Sequence, residues 1–237
     1  MKKLLYLLPL STLPLISLTT VSCSSGDWNA GIETPPEDFW MIQTDTPFQF
    51  NVDGSIKLYR ALTDEEANSL VIPDVLIYNH PNRPQHHGYK VTPKWIVPDF
   101  FGINGEFGRD KLKSISLPNT ITLISGLKNT NITKIIIPSS VTGIISNAFS
   151  NCKYLKDIDF LENSKLQDIE KSAFYETALE GHLDLSKLEF LESIDSFAFQ
   201  NTKLTSVNLP SKCRYDYTAF PAGCQVIGGI EYGRPSA

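Results

Sequence analysis

One dipeptide recurs along the second half of the chain and restricts the folds open to it. Ala148-Phe149, Ala173-Phe174, Ala198-Phe199 and Ala219-Phe220 follow one another at spacings of 25, 25 and 21 residues. A small residue beside a large aromatic, returning at that interval, suits a stacked solenoid: the alanine lets neighbouring coils approach and the phenylalanine fills the space between them. Five short segments keep step with this ladder. They are Ser114-Ile115-Ser116-Leu117, Lys134-Ile135-Ile136-Ile137, Asp157-Ile158-Asp159-Phe160, His182-Leu183-Asp184-Leu185 and Ser206-Val207-Asn208-Leu209. Each alternates as a strand does, so Ile115, Ile135, Ile158, Leu183 and Val207 are expected inside, with Leu117, Ile137, Phe160, Leu185 and Leu209 beside them. Proline follows three of the five, at Pro118, Pro138 and Pro210, and ends the ladder there because it has no N–H to donate. A second apolar position comes next in each coil, at Ile124, Ile145, Ile169 and Ile194, then Ala-Phe, then a polar turn. Stacked in parallel, the five strands are expected to form one continuous sheet whose coils touch only their neighbours. The coil at Ser125-Gly126-Leu127 lacks the dipeptide and is read as degenerate or shortened; Asp99-Phe100-Phe101 stands where an earlier one would fall.

The chain begins as an export signal rather than as fold. Lys2 and Lys3 precede a run from Leu4 to Val21 that is almost wholly apolar or hydroxylic, and Thr20-Val21-Ser22-Cys23 closes it. That ending resembles a bacterial lipobox, which implies cleavage before Cys23 and a diacylglyceryl thioether on its sulfur. An ordinary cleaved signal and an uncleaved anchor are the alternatives, though Pro9 and Pro14 weaken a spanning helix. The formal charge is −5, and loss of the two lysines Lys2 and Lys3 takes it to −7. An acidic chain without a basic stripe argues against nucleic acid as a partner.

The expected organisation is a signal over 1–22, a tether over 23–47, an N-terminal cap with degenerate first repeats over 48–111, the solenoid over 112–228 and a tail over 229–237. Within the tether, Phe39, Trp40, Met41 and Ile42 are expected to pack on the first coil. Phe48, Phe50 and Val52, then Asp53-Gly54, then Ile56 and Leu58 read as a β-hairpin. Ala61 to Ser69 has room for one or two helical turns, and Leu70-Val71-Ile72 and Tyr89-Lys90-Val91-Thr92 read as strands.

The string Ile137-Pro138-Ser139-Ser140-Val141-Thr142, continued by Asn147-Ala148-Phe149-Ser150-Asn151-Cys152 with Leu155 and Ile158 after it, resembles the BspA-like leucine-rich repeat. The resemblance runs from about Leu70 to Gly228 and is strongest from Leu112 onward. It implies a mainly β leucine-rich-repeat solenoid with short parallel strands, of the kind found on bacterial surface proteins, several of which are adhesins for host matrix or plasma proteins. It transfers no defined site, because the motif consists of core residues.

Candidate chemistry is sparse. Register places Cys152 and Cys224 just after Ala-Phe and Cys213 level with Val141, which makes buried thiols the leading reading and a Cys213–Cys224 disulfide the alternative. His86-His87 falls in a proline-rich segment and reads as a solvated loop rather than a metal site. Gly102-Ile103-Asn104-Gly105-Glu106-Phe107-Gly108 is glycine-rich, but no Lys-Ser/Thr follows, so it is a turn and not a phosphate loop. No catalytic set, metal-ligand spacing or cofactor motif emerges. The residues singled out for binding are the outward strand positions: Ser116, Ile136, Asp159, Asp184 and Asn208 in one column, with Lys134, Asp157 and His182 in its neighbour. Stacking would gather Asp157, Asp159 and Asp184, whose mutual repulsion needs Lys134, a cation or a basic ligand to offset it. The expectation is a non-catalytic lipoprotein of the cell surface or outer membrane that binds a protein through this face. The alternatives are a glycan-binding or envelope-scaffold lipoprotein, and a hydrolase with a deep pocket at His182.

Overall fold

The computed structural model describes Asn29, Ile32, Pro35 and residues 40–79 and 86–235. The expected signal peptide, the lipidation at Cys23, most of the tether, Phe39 and His80 lie outside the described residues. Among those described, strands dominate, with one short α-helix and a 3-10 turn at Arg109–Lys111. The N-terminal part contains β1 (Met41–Ile42), β2 (Phe48–Phe50), β3 (Ser55–Leu58), α1 (Asp64–Asn68), β4 (Leu70–Val71), β5 (Leu76–Ile77), β6 (Lys90–Val91) and β7 (Trp95–Ile96). The repeats contribute β8 (Ile115–Ser116), β9 (Leu123–Ile124), β10 (Lys134–Ile137), β11 (Gly143–Ile144), β12 (Asp157–Phe160) and β13 (Asp168–Ile169). They continue with β14 (Glu180–Asp184), β15 (Ser193–Ile194), β16 (Lys203–Asn208), β17 (Arg214–Asp216), β18 (Gln225–Ile227) and β19 (Ile230–Tyr232).

Local chemistry accounts for the cap. The hairpin of β2 and β3 turns at Asp53-Gly54, where Gly54 has φ +86° and Asp53 accepts the Ser55 N–H at 2.7 Å. Met41, in the segment expected as tether, is fully buried, and β1 pairs with β2; Trp40 lies under the Lys57 ammonium at 4.3 Å. Helix α1 starts at Thr63, whose hydroxyl accepts the Glu66 N–H (3.2 Å) while the Glu66 carboxylate accepts the Thr63 N–H (2.8 Å). Arg60 grips the same carboxylate with two bonds of 2.7 and 2.8 Å. This guanidinium contact, ahead of the Thr63 backbone bond, holds the Glu66 pKa down at about 2. A depressed carboxyl stabilises the fold above its ordinary pKa and loses that effect as the pH falls toward about 2. Glu66→Gln is therefore expected to cost about 1–2 kcal/mol at neutral pH, after discounting for the pair's partial exposure. It should also flatten the stability curve between pH ~4.5 and 2 in urea titrations.

The solenoid is mainly parallel and its interior is the ladder anticipated from the sequence. Phe149, Phe174, Phe199 and Phe220 stack ring on ring at 5.1, 5.1 and 5.4 Å, with planes within 10° of parallel. Beside them the alanine carbonyls act as acceptors between coils: Phe149, Phe174 and Phe199 donate their N–H to the O of Ala173, Ala198 and Ala219 at 2.8, 2.7 and 2.7 Å. A larger side chain at the alanine would push these coils apart, which explains why the pair travels together. Asn147 and Asn151 flank the dipeptide at φ +61° and +60°, a left-handed conformation that asparagine tolerates.

The sheets differ from the expected single one. The continuous sheet has ten strands in the order β1-β2-β3-β7-β9-β11-β13-β15-β17-β19, so it runs through the second apolar position of each coil. Its core residue in the coil of β10 is Ile144, paired with Ile124 and Ile169; Ile145, expected in that place, is only half-buried. The wall built from the five alternating strands is broken into β4-β8, β10-β12 and β14-β16-β18. Proline ends the strand after Leu117, Ile137 and Leu209, whereas Phe160 and Leu185 are followed by longer turns, and β14 also carries a bulge between Gly181 and His182. Ile158 and Leu183, expected fully inside, are half-buried on the two strands that border the β12–β14 gap. Ile230–Tyr232, in the expected tail, form β19 and pair with β17.

Candidate functional site: the outward strand wall

Every residue chosen for the face lies on the broken wall. Ser116 is on β8, Lys134 and Ile136 on β10, Asp157 and Asp159 on β12, His182 and Asp184 on β14, and Asn208 on β16. All are exposed except Asn208, which is half-buried with its Oδ1 making no hydrogen bond among the described residues. The columns hold within each pair of strands: Lys134 is level with Asp157, Ile136 with Asp159, His182 with Ser206 and Asp184 with Asn208. They do not hold from β12 to β14, so the structure does not bring Asp157, Asp159 and Asp184 into one hydrogen-bonded row.

Each charge has its own solution. Lys134 Nζ reaches diagonally to Asp159 Oδ2 at 2.5 Å. That bond, with the attraction of Asp159 and then of Asp157, raises the ammonium's pKa above its ordinary value. Asp184 turns back on its own loop and accepts the Ser186 hydroxyl (2.6 Å) and N–H (3.0 Å), which hold its pKa below the usual carboxylate range. His182 Nδ1 lies 2.8 Å from Ser206 Oγ, a histidine–serine contact open on the wall. Neither cleft described below is lined by His182. No group of three or more metal-ligating side chains gathers among the described residues.

Two clefts occupy the breaks. One of about 700 Å³ lies where β12 and β14 part, with Asp159, Phe160, Glu162, Asp184, Lys187 and Leu188 among its lining. The other, about 450 Å³, lies between β8 and β10 and includes Ser116, Lys134 and Ile136. Leu161 borders both and is 46% exposed. Glu162, Lys187 and Leu188 were not anticipated. Their signal in the sequence was the missing proline after Phe160 and after Leu185.

The cysteines follow the register. Cys152 and Cys213 are buried, Cys224 is half-buried, and none is in a disulfide. Cys152 takes the place held in other coils by Thr130, Thr177 and Thr202; their hydroxyls donate to the carbonyl three residues back, whereas Cys152 Sγ donates to Leu127 O of the coil before at 3.2 Å. Burial pushes all three thiols up, that of Cys213 to about 11. A thiol reagent is therefore expected to label Cys224 slowly in the native protein and to reach Cys152 and Cys213 only on unfolding, as read by mass mapping. His86 corrects an expectation: it is 3% exposed rather than solvated, because Tyr89 N–H donates to His86 O (3.0 Å) and Gly88 N–H to Tyr78 O (2.7 Å), folding the turn onto the cap. The glycine-rich run is a turn, with Gly102, Gly105 and Gly108 all at positive φ.

With this geometry established, comparison with known proteins gives the following. Residues 104–188 match the family model of the BspA type leucine rich repeat region, in six copies. Among solved structures, the pneumococcal vaccine antigen PcpA is 18% identical over 73% of this chain and 50% of its own, with a TM-score of 0.49. The chain thus spans half the length of that protein's. A leucine rich cell surface protein from Faecalibacterium prausnitzii is 15% identical over 84% of this chain and 77% of its own, at a TM-score of 0.33. A leucine-rich repeat protein from Bacteroides capillosus is 19% identical over 81% and 98%, also at 0.33. No curated protein sequence matches the chain. No helix among the described residues is long and apolar enough to cross a membrane.

Proposed function

We propose that this chain, which is built on a BspA-type leucine-rich repeat region, is an exported, lipid-tethered protein of the cell surface that binds another protein without catalysis. Cys23 carries the lipid, and the segment ahead of β1 links it to the repeats. The ligand is a basic protein segment. The observation that supports this is the strand wall, where the carboxylates of Asp157, Asp159 and Asp184 stand exposed beside apolar Ile136 and Leu161. A surface that mixes acidic and apolar groups steers a basic partner by charge and retains it by contact.

Binding to arrayed matrix proteins and polysaccharides tests the reading. Joint substitution of Asp159→Ala and Asp184→Ala is expected to weaken capture of basic proteins about tenfold, mostly in the association rate, and to reduce its salt dependence. Unchanged binding by that variant overturns the face as the site, and capture of polysaccharides alone replaces the protein ligand with a glycan. Protease treatment of intact cells tests the location: loss of the repeats from the cell surface is expected, and Cys23→Ala is expected to release the protein from the membrane fraction.

A further inference from the structure

The larger cleft has a main-chain chemistry that its side chains do not exhaust. Among the described residues strand β12 pairs only with β10, and β14, on the side facing β12, pairs with no strand. The same two coils remain joined on the opposite wall through β13 and β15, and between them Phe174 and Phe199 stay stacked at 5.1 Å. They are thus held together at the back and parted at the front.

A strand in a parallel ladder addresses its two sides with alternate residues. Leu161 N–H donates to Ile137 O at 3.1 Å, so residues 157, 159 and 161 face β10. The main-chain groups of Ile158 and Phe160 point into the gap. On the other side, Leu185 N–H donates to Asn208 O at 2.9 Å, so residues 183 and 185 face β16 and the main-chain groups of His182 and Asp184 point back toward β12. No strand pairs with either edge among the described residues. Open edges are templates for another strand. The bulge at Gly181/His182 blunts the start of β14 but leaves its Asp184 end, where the cleft lies, unprotected.

The surroundings select what can enter. A strand laid in this wall would alternate as its neighbours do, one side chain out and the next in. Outward, it meets Asp159, Asp184 and Glu162, with Lys187 as the opposing charge in the lining; inward, it meets Ile158, Phe160 and Leu188. We propose that the gap between β12 and β14 is a strand-accepting cleft whose occupant is an extended peptide segment in which basic residues alternate with apolar ones. Its main chain pairs with Ile158 and Phe160, its basic side chains face the carboxylates and its apolar side chains lie on Phe160 and Leu188. This rests on the reading of the wall as the binding face and assigns that face a mode of recognition.

The test uses the full chain and three capped heptapeptides: alternating lysine and valine, the same sequence with N-methyl groups on its valines and lysines, and alternating glutamate and valine. N-methylation removes the N–H donors while keeping the charges. The lysine peptide is expected to bind and to slow amide exchange at Ile158 or Phe160. The N-methylated peptide should bind at least about tenfold more weakly and the glutamate peptide should not bind. Absence of lysine-peptide binding, equal binding of the N-methylated form, or binding with unchanged exchange at both amides overturns the strand-accepting cleft. If the N-methylated form binds equally and Asp159→Ala with Asp184→Ala still weakens protein capture, the face stands and strand addition alone fails.

Discussion

Phe174→Ala is expected to remove about 3–5 kcal/mol of stability and to lower the melting temperature by about 10 °C, as measured by urea titration and calorimetry. Phe174 is fully buried and sandwiched between Phe149 and Phe199 at 5.1 Å on both sides. Truncation empties a site whose walls are held in place by the Phe174–Ala198 and Phe149–Ala173 main-chain bonds, so the coils cannot close onto the void. It also removes two ring-on-ring contacts, each worth about 0.5–1.5 kcal/mol beyond the area buried. Phe220→Ala is the internal comparison. Phe220 ends the stack with one parallel neighbour, Phe199, and is 7% exposed, so its loss should cost less. A melt of Phe174→Ala that overlays the parent would contradict the register of the ladder.

Gly126→Val is expected to be comparably damaging, by about 3 kcal/mol or more, for the opposite reason of too little room. Gly126 occupies the alanine position of the shortened coil at Ser125-Gly126-Leu127, in front of Phe100 and Phe101. A Cβ there would sit 2.2 Å from Val97 O and 3.0 Å from Phe100 Cβ, on a backbone with φ +70°. The left-handed conformation alone costs a β-carbon about 1–2 kcal/mol. The rest comes from displacing the Val97 carbonyl, which accepts the Phe100 N–H at 3.1 Å. Gly181→Ala separates the two contributions: Gly181 has φ +74° and nothing within 4 Å of its would-be Cβ, so only the conformational cost should appear. Equal losses at the two glycines, read by denaturant midpoint, would show that close packing at Gly126 contributes nothing.

What could be read from the chain depended on whether a contact leaves a periodic trace. The phenylalanine ladder did, as did the alternation of the five outward strands and the Asp53-Gly54 hairpin. The ten-stranded sheet did not, because β9, β11, β13 and β15 are two residues long and show no alternation. The same brevity let Ile145 stand in for Ile144. The outward residues were identified from alternation alone, yet whether they meet across β12 and β14 depended on pairing between coils, to which alternation within one strand is blind. Leu161, Glu162 and Lys187 entered the site through turns that replace a proline. His86 was misjudged because two main-chain bonds of its turn, Tyr89 N–H to His86 O and Gly88 N–H to Tyr78 O, fold it onto the cap.

The unequal joining of the two walls has a mechanical consequence. Along the ten-stranded sheet, strand pairing crosses each coil boundary from β3 to β19, so stretching that side breaks hydrogen bonds. At the β12–β14 boundary the outer side is crossed by no strand pairing among the described residues. Bending that widens this side works chiefly against side-chain contacts, which are softer and re-form without directional penalty. The rod is therefore stiff in one sense of curvature and compliant in the other, with the sheet as its leaf spring and the Phe160–Leu185 region as the place where it flexes.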